Sequence, residues 1–327
     1  MTRRFTRSSA IVAGLASAAL VLAGCSSQGG SQEEEAALDT PTYKIAMITH
    51  AEPGDTFWDI IRKGADAAAQ KSNIDLQYSS SPDAAKQATL VDNAIDQGVD
   101  GIALTLATPD AMKGVVKRAN NAGIPVIAFN SGIDDWKDVG AMSYYGTDET
   151  IAGTAFGKRL NEEGAKHALC VVQSQGQVAL ETRCQALKDS FDGKTTKLYV
   201  NGEDMTSVQS TLQAKLQSDS SIDYVATLGA PYALTALDSI KSAGSKAEVA
   251  TFDTNEQLVS KIEDGSVEFA VDQQPYLQGY LSIDAFWLYL SNGNFAGGGK
   301  EPVLTGPAFI DRSNIDDIAK YAQKGTR

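Results

Sequence analysis

Apolar residues follow two different patterns along this chain. In the first unit, Ile45 to Ile48 form a short apolar run, a polar loop follows, and apolar positions then recur every three to four residues between Phe57 and Ala68. An apolar run of this length indicates a buried strand, whereas the three-to-four spacing is that of an amphipathic helix. The pattern therefore predicts a strand, a loop and a helix, and the same unit recurs along most of the chain.

Further apolar runs alternate with helical patterns as far as residue 310. They predict strands at Asp75–Ser80, Val99–Leu106, Ile124–Phe129, His167–Gln173, Lys197–Val200, Asp223–Leu228, Glu248–Phe252, Val267–Val271 and Val303–Ile310. Strands that are apolar throughout, and that alternate with helices, indicate a parallel sheet covered on both faces. The predicted class is therefore α/β.

One such unit is repeated within the chain. The stretch VDGIALTLATPDA…AGIPVIAFN, residues 99 to 130, is similar to IDYVATLGAPYAL…AGSKAEVATFD, residues 222 to 253. The spacing from Asp100 to Phe129 equals that from Asp223 to Phe252. The repeat favours two lobes of like topology over one long sheet, with chance similarity between two α/β units as the alternative.

The first 25 residues resemble a secretion signal. Arg3, Arg4 and Arg7 precede the apolar run Ile11–Leu22, which is too short for an ordinary membrane helix. The sequence Leu-Ala-Gly-Cys that follows resembles the end of a bacterial lipoprotein signal, in which the cysteine is lipidated and starts the mature protein. The resemblance implies a signal peptide over 1–24 and an extracytoplasmic protein anchored to the cell membrane by lipidated Cys25. A plain secretory signal cut nearby is the alternative.

Residues 26–41 are polar and acidic and carry almost no side chain suited to a core. Such a composition buries too little apolar surface to fold, so we predict a disordered tether over 25–42. Roughly 285 residues remain, enough for one large α/β body or two lobes.

Charge and cysteine content narrow the function further. Without the three signal arginines, 25 basic residues stand against 41 acidic ones, a formal charge of −16. Such a surface repels phosphate backbones, so we predict no binding to nucleic acid. Once Cys25 is lipidated, Cys170 and Cys184 remain as an even pair in an oxidising compartment, where a disulfide is the prediction and two buried free thiols the alternative.

The sequence lacks the residues of an enzyme. It holds no nucleophile-elbow, phosphate-loop or zinc-peptidase motif, and His50 and His167 are its only histidines. Histidine and cysteine clusters of the kind that hold metals are also missing. We therefore predict no catalytic residues, no cofactor and no metal site.

Polar and aromatic residues instead follow the predicted strands. In open α/β sheets, ligands bind beyond the carboxyl ends of the strands. Carboxylates, amides and guanidinium suit hydroxyl groups, which both donate and accept, while aromatic rings pack on the C–H faces of a sugar. Singly, each of these residues has an ordinary alternative role as a helix cap or a surface residue. The candidates at these loop ends are His50, Asp55, Phe57, Trp58, Asn130, Arg183, Asp253 and Gln273.

Several segments jointly resemble the ribose-type, type I periplasmic sugar-binding proteins of ABC importers. They are KIAMI…DTFW, GVDGI…AGIPVIAFN, ALETRC, ATFDTN and AVDQQPYLQGY, and the likeness covers residues 43 to 310. It implies two doubly wound parallel-sheet lobes joined by a three-segment hinge near Thr147, Gln274 and Thr305. The lobes would comprise 43–146 plus 274–304, and 147–273 plus 305–327.

The resemblance also implies roles for individual residues. It aligns Phe57 and Trp58 with the family's aromatic pair, Arg183 with its helix-start arginine, Asp253 with its strand-end aspartate and Gln273 with its glutamine before proline.

Other positions depart from the ribose binders. Asp55 stands where they have an amide, Asn130-Ser131 replaces an Asp-Arg pair, Met205 replaces an aromatic residue, and Gly229 replaces an asparagine. We therefore expect Met205 at the site as well, and a ligand other than ribose: another monosaccharide, or a polyol such as inositol or a pentitol.

The resulting prediction is a monomeric solute-binding lipoprotein. It would capture a neutral sugar or polyol and deliver it to an ABC permease driven by a separate ATPase, touching the membrane only through its lipid anchor. A receptor of the same fold that feeds a signalling partner is the alternative. A LacI-type repressor shares the fold but needs a helix-turn-helix, and an α/β hydrolase needs a nucleophile and a base.

Overall fold

A computed structural model describes residues 40–52 and 54–327. The predicted signal peptide over 1–24, the lipidation site Cys25 and the predicted tether as far as residue 39 lie outside the described residues.

The described chain contains two six-stranded sheets. In the first, five strands come from the N-terminal part of the chain and one from near its end, and all neighbouring strands are parallel. Its strands are β1 Tyr43–Thr49, β2 Ile74–Ser80, β3 Gly101–Thr105, β4 Val126–Phe129, β5 Ser143–Gly146 and β11 Val303–Leu304, in the order β11-β5-β4-β3-β1-β2.

The second sheet repeats this order with later strands. Its strands are β6 His167–Val172, β7 Lys194–Tyr199, β8 Tyr224–Thr227, β9 Glu248–Phe252, β10 Phe269–Asp272 and β12 Ala308–Asp311, in the order β12-β10-β9-β8-β6-β7. Only β12 is antiparallel to its neighbour among these pairs. The predicted pair of doubly wound lobes is therefore confirmed.

Helices cover both faces of each sheet. They are α1 Thr56–Lys71, α2 Ala84–Asp96, α3 Pro109–Asn121, α4 Trp136–Val139, α5 Glu149–Glu163, α6 Val178–Ser190, α7 Met205–Ser218, α8 Ala230–Ala243, α9 Glu256–Glu263, α10 Pro275–Asn292 and α11 Ile315–Ala322.

The strands are apolar throughout because each sheet has a core on either side. Successive side chains of a strand point to opposite faces. In β1, Ala46 and Ile48 pack into one core, whereas Ile45 and Met47 pack into the other. The cores of the second sheet divide β6 in the same way.

The internal repeat has a structural counterpart in β3-α3-β4 and β8-α8-β9. Its two aspartates play equivalent parts: Asp100 accepts a hydrogen bond from the backbone N–H of Lys44 at 2.7 Å, and Asp223 accepts one from the backbone N–H of His167 at 2.8 Å. Each aspartate thus ties the start of its unit to the neighbouring strand. The repeat explains why the two halves share one topology.

Two details differ from the sequence prediction. The predicted strand Val303–Ile310 is in fact two strands, β11 and β12, which belong to different sheets. Strand β5 was not predicted, because its residues Ser143–Gly146 include polar and aromatic side chains rather than an aliphatic run.

Cys170 on β6 and Cys184 on α6 are joined by a disulfide, with 6.0 Å between their Cα atoms.

Candidate ligand-binding site

A cavity lies between the two sheets, at the carboxyl ends of their strands. The structure brings eight of the nine predicted binding residues to its wall: His50, Asp55, Phe57, Trp58, Asn130, Arg183, Asp253 and Gln273.

Met205 is the exception, because it was predicted at the site but does not line the cavity. It is the first residue of α7, and its side chain packs against the core between α7 and α8 rather than lining the cavity. The hydroxyl of Thr235 lies 3.7 Å from its sulfur atom. The resemblance matched this position by sequence, but the helix start directs the side chain away from the ligand cavity.

Aromatic residues at the start of α1 form one wall. The ring of Trp58 makes edge contacts with those of Phe57 and His50, at centroid distances of 5.3 and 4.7 Å. Asp55 is the N-cap of the helix and accepts a hydrogen bond from the backbone N–H of Phe57. This cap uses one carboxylate oxygen and fixes the direction in which α1 presents its aromatic rings.

The hydrogen bonds around Thr105 fix the tautomer of His50. The Thr105 hydroxyl oxygen accepts from the backbone N–H of His50 and from Nε2 of Gln87, whose amide orientation is set by a second bond to the Thr105 carbonyl. The hydroxyl hydrogen is then left to donate to His50 Nδ1, 2.7 Å away. Nε2 of His50 therefore carries the proton and is a donor.

His50 stays neutral under ordinary conditions. Burial, followed by the charge of Arg183, lowers the pKa of His50 to about 3. A neutral imidazole offers the cavity a hydrogen-bond donor without a positive charge.

Arg183 is at the centre of a buried polar network in the second lobe. Its guanidinium pairs through Nε and Nη2 with both oxygens of Glu149, and Nη2 also donates to Oε1 of Gln273. Its central carbon lies 4.6 Å from the centre of the Phe252 ring. Glu149 was not predicted from the sequence, because an acidic residue directly after an N-cap such as Asp148 is typical of any helix start.

The hydrogen-bond network continues from Arg183 through Gln273 to Asp253. In each of these hydrogen bonds the identity of donor and acceptor is fixed by the neighbouring groups. Gln273 accepts from Arg183 through its side-chain oxygen and donates to Asp253 through its amide nitrogen, while its backbone N–H donates to the other carboxylate oxygen. The amide of Gln273 can therefore take only one orientation without placing two donors face to face.

Asn130 and Asp253 occupy equivalent strand ends in the two lobes. Both have left-handed backbones, with φ of 64° and 56°, a conformation that aspartate and asparagine tolerate better than most residues. Asn130 donates to Gln278 at 3.0 Å and accepts from Ser131. The two polar tips that the sequence repeat makes equivalent thus both lie on the wall of this cavity.

Burial raises the pKa of Asp253 and Asp55, two of the carboxyl groups on the wall. The pKa of Asp253 rises to about 7, chiefly through burial and then through the charge of Asp272. The pKa of Asp55 rises to about 6, again chiefly through burial. Near neutral pH each group can be either a donor or an acceptor toward a ligand hydroxyl.

The raised pKa of Asp253 predicts how the stability of the ligand-free protein depends on pH. An acid that binds its proton more tightly when folded stabilises the fold at acidic pH, and this contribution is lost as pH rises from 3.8 toward about 7. Asp253→Asn does not titrate, so the Tm of wild type minus that of the variant should decrease across this range. Thermal unfolding of both proteins at several pH values measures it, and a constant difference would contradict the assignment.

Further contacts join the two lobes across the cleft. The Tyr232 hydroxyl on α8 donates to Glu52 at 3.0 Å, Asn255 donates to the Thr56 hydroxyl at 3.2 Å, and the backbone N–H of Val178 donates to the Ala107 carbonyl. Glu52 also lines the cavity, although nothing in the sequence beyond its position in a polar loop indicated this. These contacts hold the two lobes together around the cavity.

Gln173 is a further wall residue that the sequence did not indicate. It ends the run predicted as a strand, and its side-chain oxygen is buried without a hydrogen-bond partner among the residues that the structure describes. A buried acceptor of this kind is costly unless it is satisfied. A ligand hydroxyl could supply the missing donor.

Neither a metal site nor a membrane helix is found in the part of the chain that the structure describes. No group of three or more histidine, cysteine, aspartate or glutamate residues is placed to hold an ion there. Both ring nitrogens of His167 contact hydroxyls, those of Ser221 and Thr196. Over the same residues, no helix is both long and apolar enough to cross a bilayer.

Comparison with known proteins gives a consistent result. The family model described as periplasmic binding protein domain matches residues 45–294. The xylose/arabinose-binding protein of Sulfolobus acidocaldarius is 28% identical over 299 residues, which cover 84% of this chain and 72% of the relative. The ribose import binding protein of Bacillus subtilis is 27% identical over 236 residues, which cover 70% of this chain and 76% of the relative.

A solved structure is closer still. The carbohydrate transporter from Acidothermus cellulolyticus 11B, crystallised in complex with myo-inositol, is 55% identical, with a TM-score of 0.87 over 88% of this chain and 100% of that chain. The resemblance to sugar-binding proteins that the sequence indicated is thus confirmed. These relatives are named for binding and transport of sugars, not for catalysis.

Proposed function

This chain belongs to the periplasmic binding protein domain family, and from that premise we propose that it captures one neutral, polyhydroxylated molecule between its lobes. A cyclic polyol of the inositol class is the first candidate, because the relative that is 55% identical was crystallised with myo-inositol. The proposal rests on one observation. A single cavity combines aromatic faces with amide, carboxyl and guanidinium groups from both lobes.

These groups match the chemistry of hydroxyl-rich rings. Each hydroxyl both donates and accepts, and the wall offers both kinds of partner. His50 Nε2 and Arg183 are donors, Asp253 and the orphaned oxygen of Gln173 are acceptors, and Trp58 supplies an apolar face. The departures from ribose binders at Asn130-Ser131 and Gly229 lie on the same wall, which supports a ligand other than ribose.

We propose that binding closes a hinge between residues 43–146 plus 274–304 and residues 147–273 plus 305–327. The chain passes from one sheet to the other at three places, near Thr147, Gln274 and Thr305. Each lobe offers part of the hydrogen-bonding wall, so the ligand favours the closed form by contacting both.

Tyr232→Phe tests closure without removing any side chain of the cavity wall. The variant removes the hydrogen bond to Glu52 across the cleft but keeps the ring in its core position. We expect ligand affinity to fall about three- to tenfold, mainly through faster release, because a typical intramolecular hydrogen bond contributes about 0.5–1.5 kcal/mol net. Stopped-flow release measures it, with Tyr199→Phe as control, and an unchanged release rate would argue against the latch.

We further propose that the protein works outside the cytoplasm as a lipoprotein anchored through Cys25. Its closed form would pass the ligand to an ABC permease powered by a separate ATPase. Family membership supports transport, and the sequence at Cys25 supports the anchor. Metabolic labelling with a fatty-acid analogue, compared with Cys25→Ala, would test the anchor.

A thermal-shift screen of the soluble form tests the ligand class. We expect the largest stabilisation from inositols, with pentoses, hexoses and pentitols as the comparison set, because a ligand that binds only the folded state raises Tm. Isothermal titration would then give the affinity of the best compounds. If amino acids or phosphosugars alone raised Tm, the proposal would fail.

A further inference from the structure

Glu149 is a buried carboxylate that stands behind the ligand cavity. Its residue is 3% exposed and that of Arg183 is 4% exposed. Arg183 lines the cavity, whereas Glu149 does not and instead contacts a separate small cavity beside Gly132 and Thr182. The carboxylate therefore reaches the ligand only through the guanidinium it holds.

The contacts of Arg183 with the protein use only part of the hydrogen-bonding capacity of its guanidinium. A guanidinium has five N–H groups. Three of them, on Nε and Nη2, are directed to the two oxygens of Glu149 and to Gln273. Within the described residues Nη1 donates to no protein acceptor, so its two hydrogens are available to a ligand. Arg183 thus keeps hydrogen-bond donors for the cavity while its charge is paired on the opposite side.

The other ionisable groups on the cavity wall add no positive charge. Asp55, Glu52 and Asp253 are acidic, and His50 is neutral. With the charge of Arg183 balanced by Glu149, an anionic ligand would meet no net positive partner, and charge interactions are strong in so enclosed a site. A neutral ligand needs only the donors and acceptors.

We propose that Glu149 is a specificity-determining residue, which neutralises Arg183 from behind and so makes the cavity select uncharged polyols over carboxylated or phosphorylated ones. The inference rests on the proposed function and names the substrate property that this pair controls. Glu149 is a positioning residue as well, since it holds the guanidinium in one orientation by a two-point contact.

Glu149→Gln is the direct test. Glutamine keeps an oxygen that accepts from Arg183 but removes the compensating charge. Titration calorimetry would compare two matched pairs of compounds, D-glucose with D-glucuronate and myo-inositol with myo-inositol 1-phosphate, on wild type and variant. We expect the ratio of anion Kd to neutral Kd to fall at least about tenfold in the variant, equivalent to about 1.4 kcal/mol.

Glu162→Gln is the matched control. It lies on the same helix and makes the same change of overall charge, but Glu162 is exposed. The ratio of anion Kd to neutral Kd in this variant should stay within about twofold of that of wild type. If Glu149→Gln folded and its ratio moved no more than that of Glu162→Gln, Glu149 would have a structural role only and the inference would be overturned.

A double variant covers the case in which Glu149→Gln does not fold. Replacing both partners of a buried ion pair is tolerated far better than removing one. In the double variant Glu149→Gln with Arg183→Gln, the affinities for the anion and for its neutral partner should both fall. The ratio of anion Kd to neutral Kd should stay near that of wild type, because residues 149 and 183 together carry no net charge in either protein. A tenfold selective loss of the anion would mean that Arg183 attracts anions despite Glu149, which overturns the inference.

Failure of the proposed function has a different signature. If wild type bound no inositol, pentose, hexose or pentitol, polyol capture itself would be wrong. If wild type bound the anion as tightly as its neutral partner, capture would stand and the selectivity assigned to Glu149 would fall.

Discussion

Gly279→Ala is expected to destabilise the protein by about 3 kcal/mol or more, the upper end of the usual cost of overpacking. A Cβ atom on Gly279 of α10 would lie 1.9 Å from the carbonyl oxygen of Ile61 on α1, and one on Gly64 of α1 would lie 2.0 Å from the carbonyl oxygen of Tyr276. The two helices thus touch backbone to backbone through a pair of glycines. Because no side chain can move aside, the whole helix would have to shift.

Gly114→Ala is the matched control for this prediction. Gly114 is also inside a helix, α3, but the nearest atom to its added Cβ, Nη1 of Arg118, is 3.9 Å away. Alanine there should stabilise by about 0.5 to 1 kcal/mol, through helix propensity alone. Urea denaturation of both variants measures the contrast, and equal midpoints would contradict the close helix contact.

The Gly279 variant should also bind ligand poorly. Helix α1 carries Phe57 and Trp58 at its start, and α10 begins directly after Gln273 and Gln274. A displacement of α10 against α1 would therefore move the aromatic wall relative to the hinge. Weaker binding together with lower stability is expected. Unchanged affinity in the folded fraction would show that the contact between α1 and α10 affects stability but not the ligand site.

Asp253→Asn should weaken ligand binding about 10- to 100-fold while leaving the fold intact. The carboxylate accepts from both the backbone and the side-chain nitrogen of Gln273. An asparagine has one donor end, so it must point N–H groups at one of these two donors. If Gln273 turned its amide to avoid this, its nitrogen would face Arg183 instead. Hydrogen bonds to charged groups contribute about 1.5–3 kcal/mol each, which sets the size of the loss.

Asparagine is the sharper substitution because it keeps the backbone relaxed. The φ of Asp253 is 56°, and alanine there would add strain to the loss of the carboxylate. Asp264→Asn, at an exposed turn of the same lobe, is the control. Calorimetry with the best ligand of the thermal-shift screen provides the measurement, and an affinity equal to that of wild type would exclude Asp253 from the site.

The sequence by itself determined the α/β class and the repeated topology, and it indicated eight of the sixteen residues that line the cavity. These follow from local pattern: apolar runs mark strands with a core on either side, and the repeat marks Asn130 and Asp253 as equivalent tips. Parallel strands of one sheet end at one edge, so residues after them had to share a cleft. The family resemblance added Arg183 and Gln273 in their relative places.

Only the tertiary structure decided which side chains meet across long distances. Glu149 meets Arg183 although 34 residues separate them, Glu52 meets Tyr232 across 180 residues, and Met205 turns away from the cavity into a core. The predicted last strand divides between two sheets for the same reason. Periodicity records which face of an element is buried, whereas pairing depends on how two lobes and their helix starts are placed against each other in space.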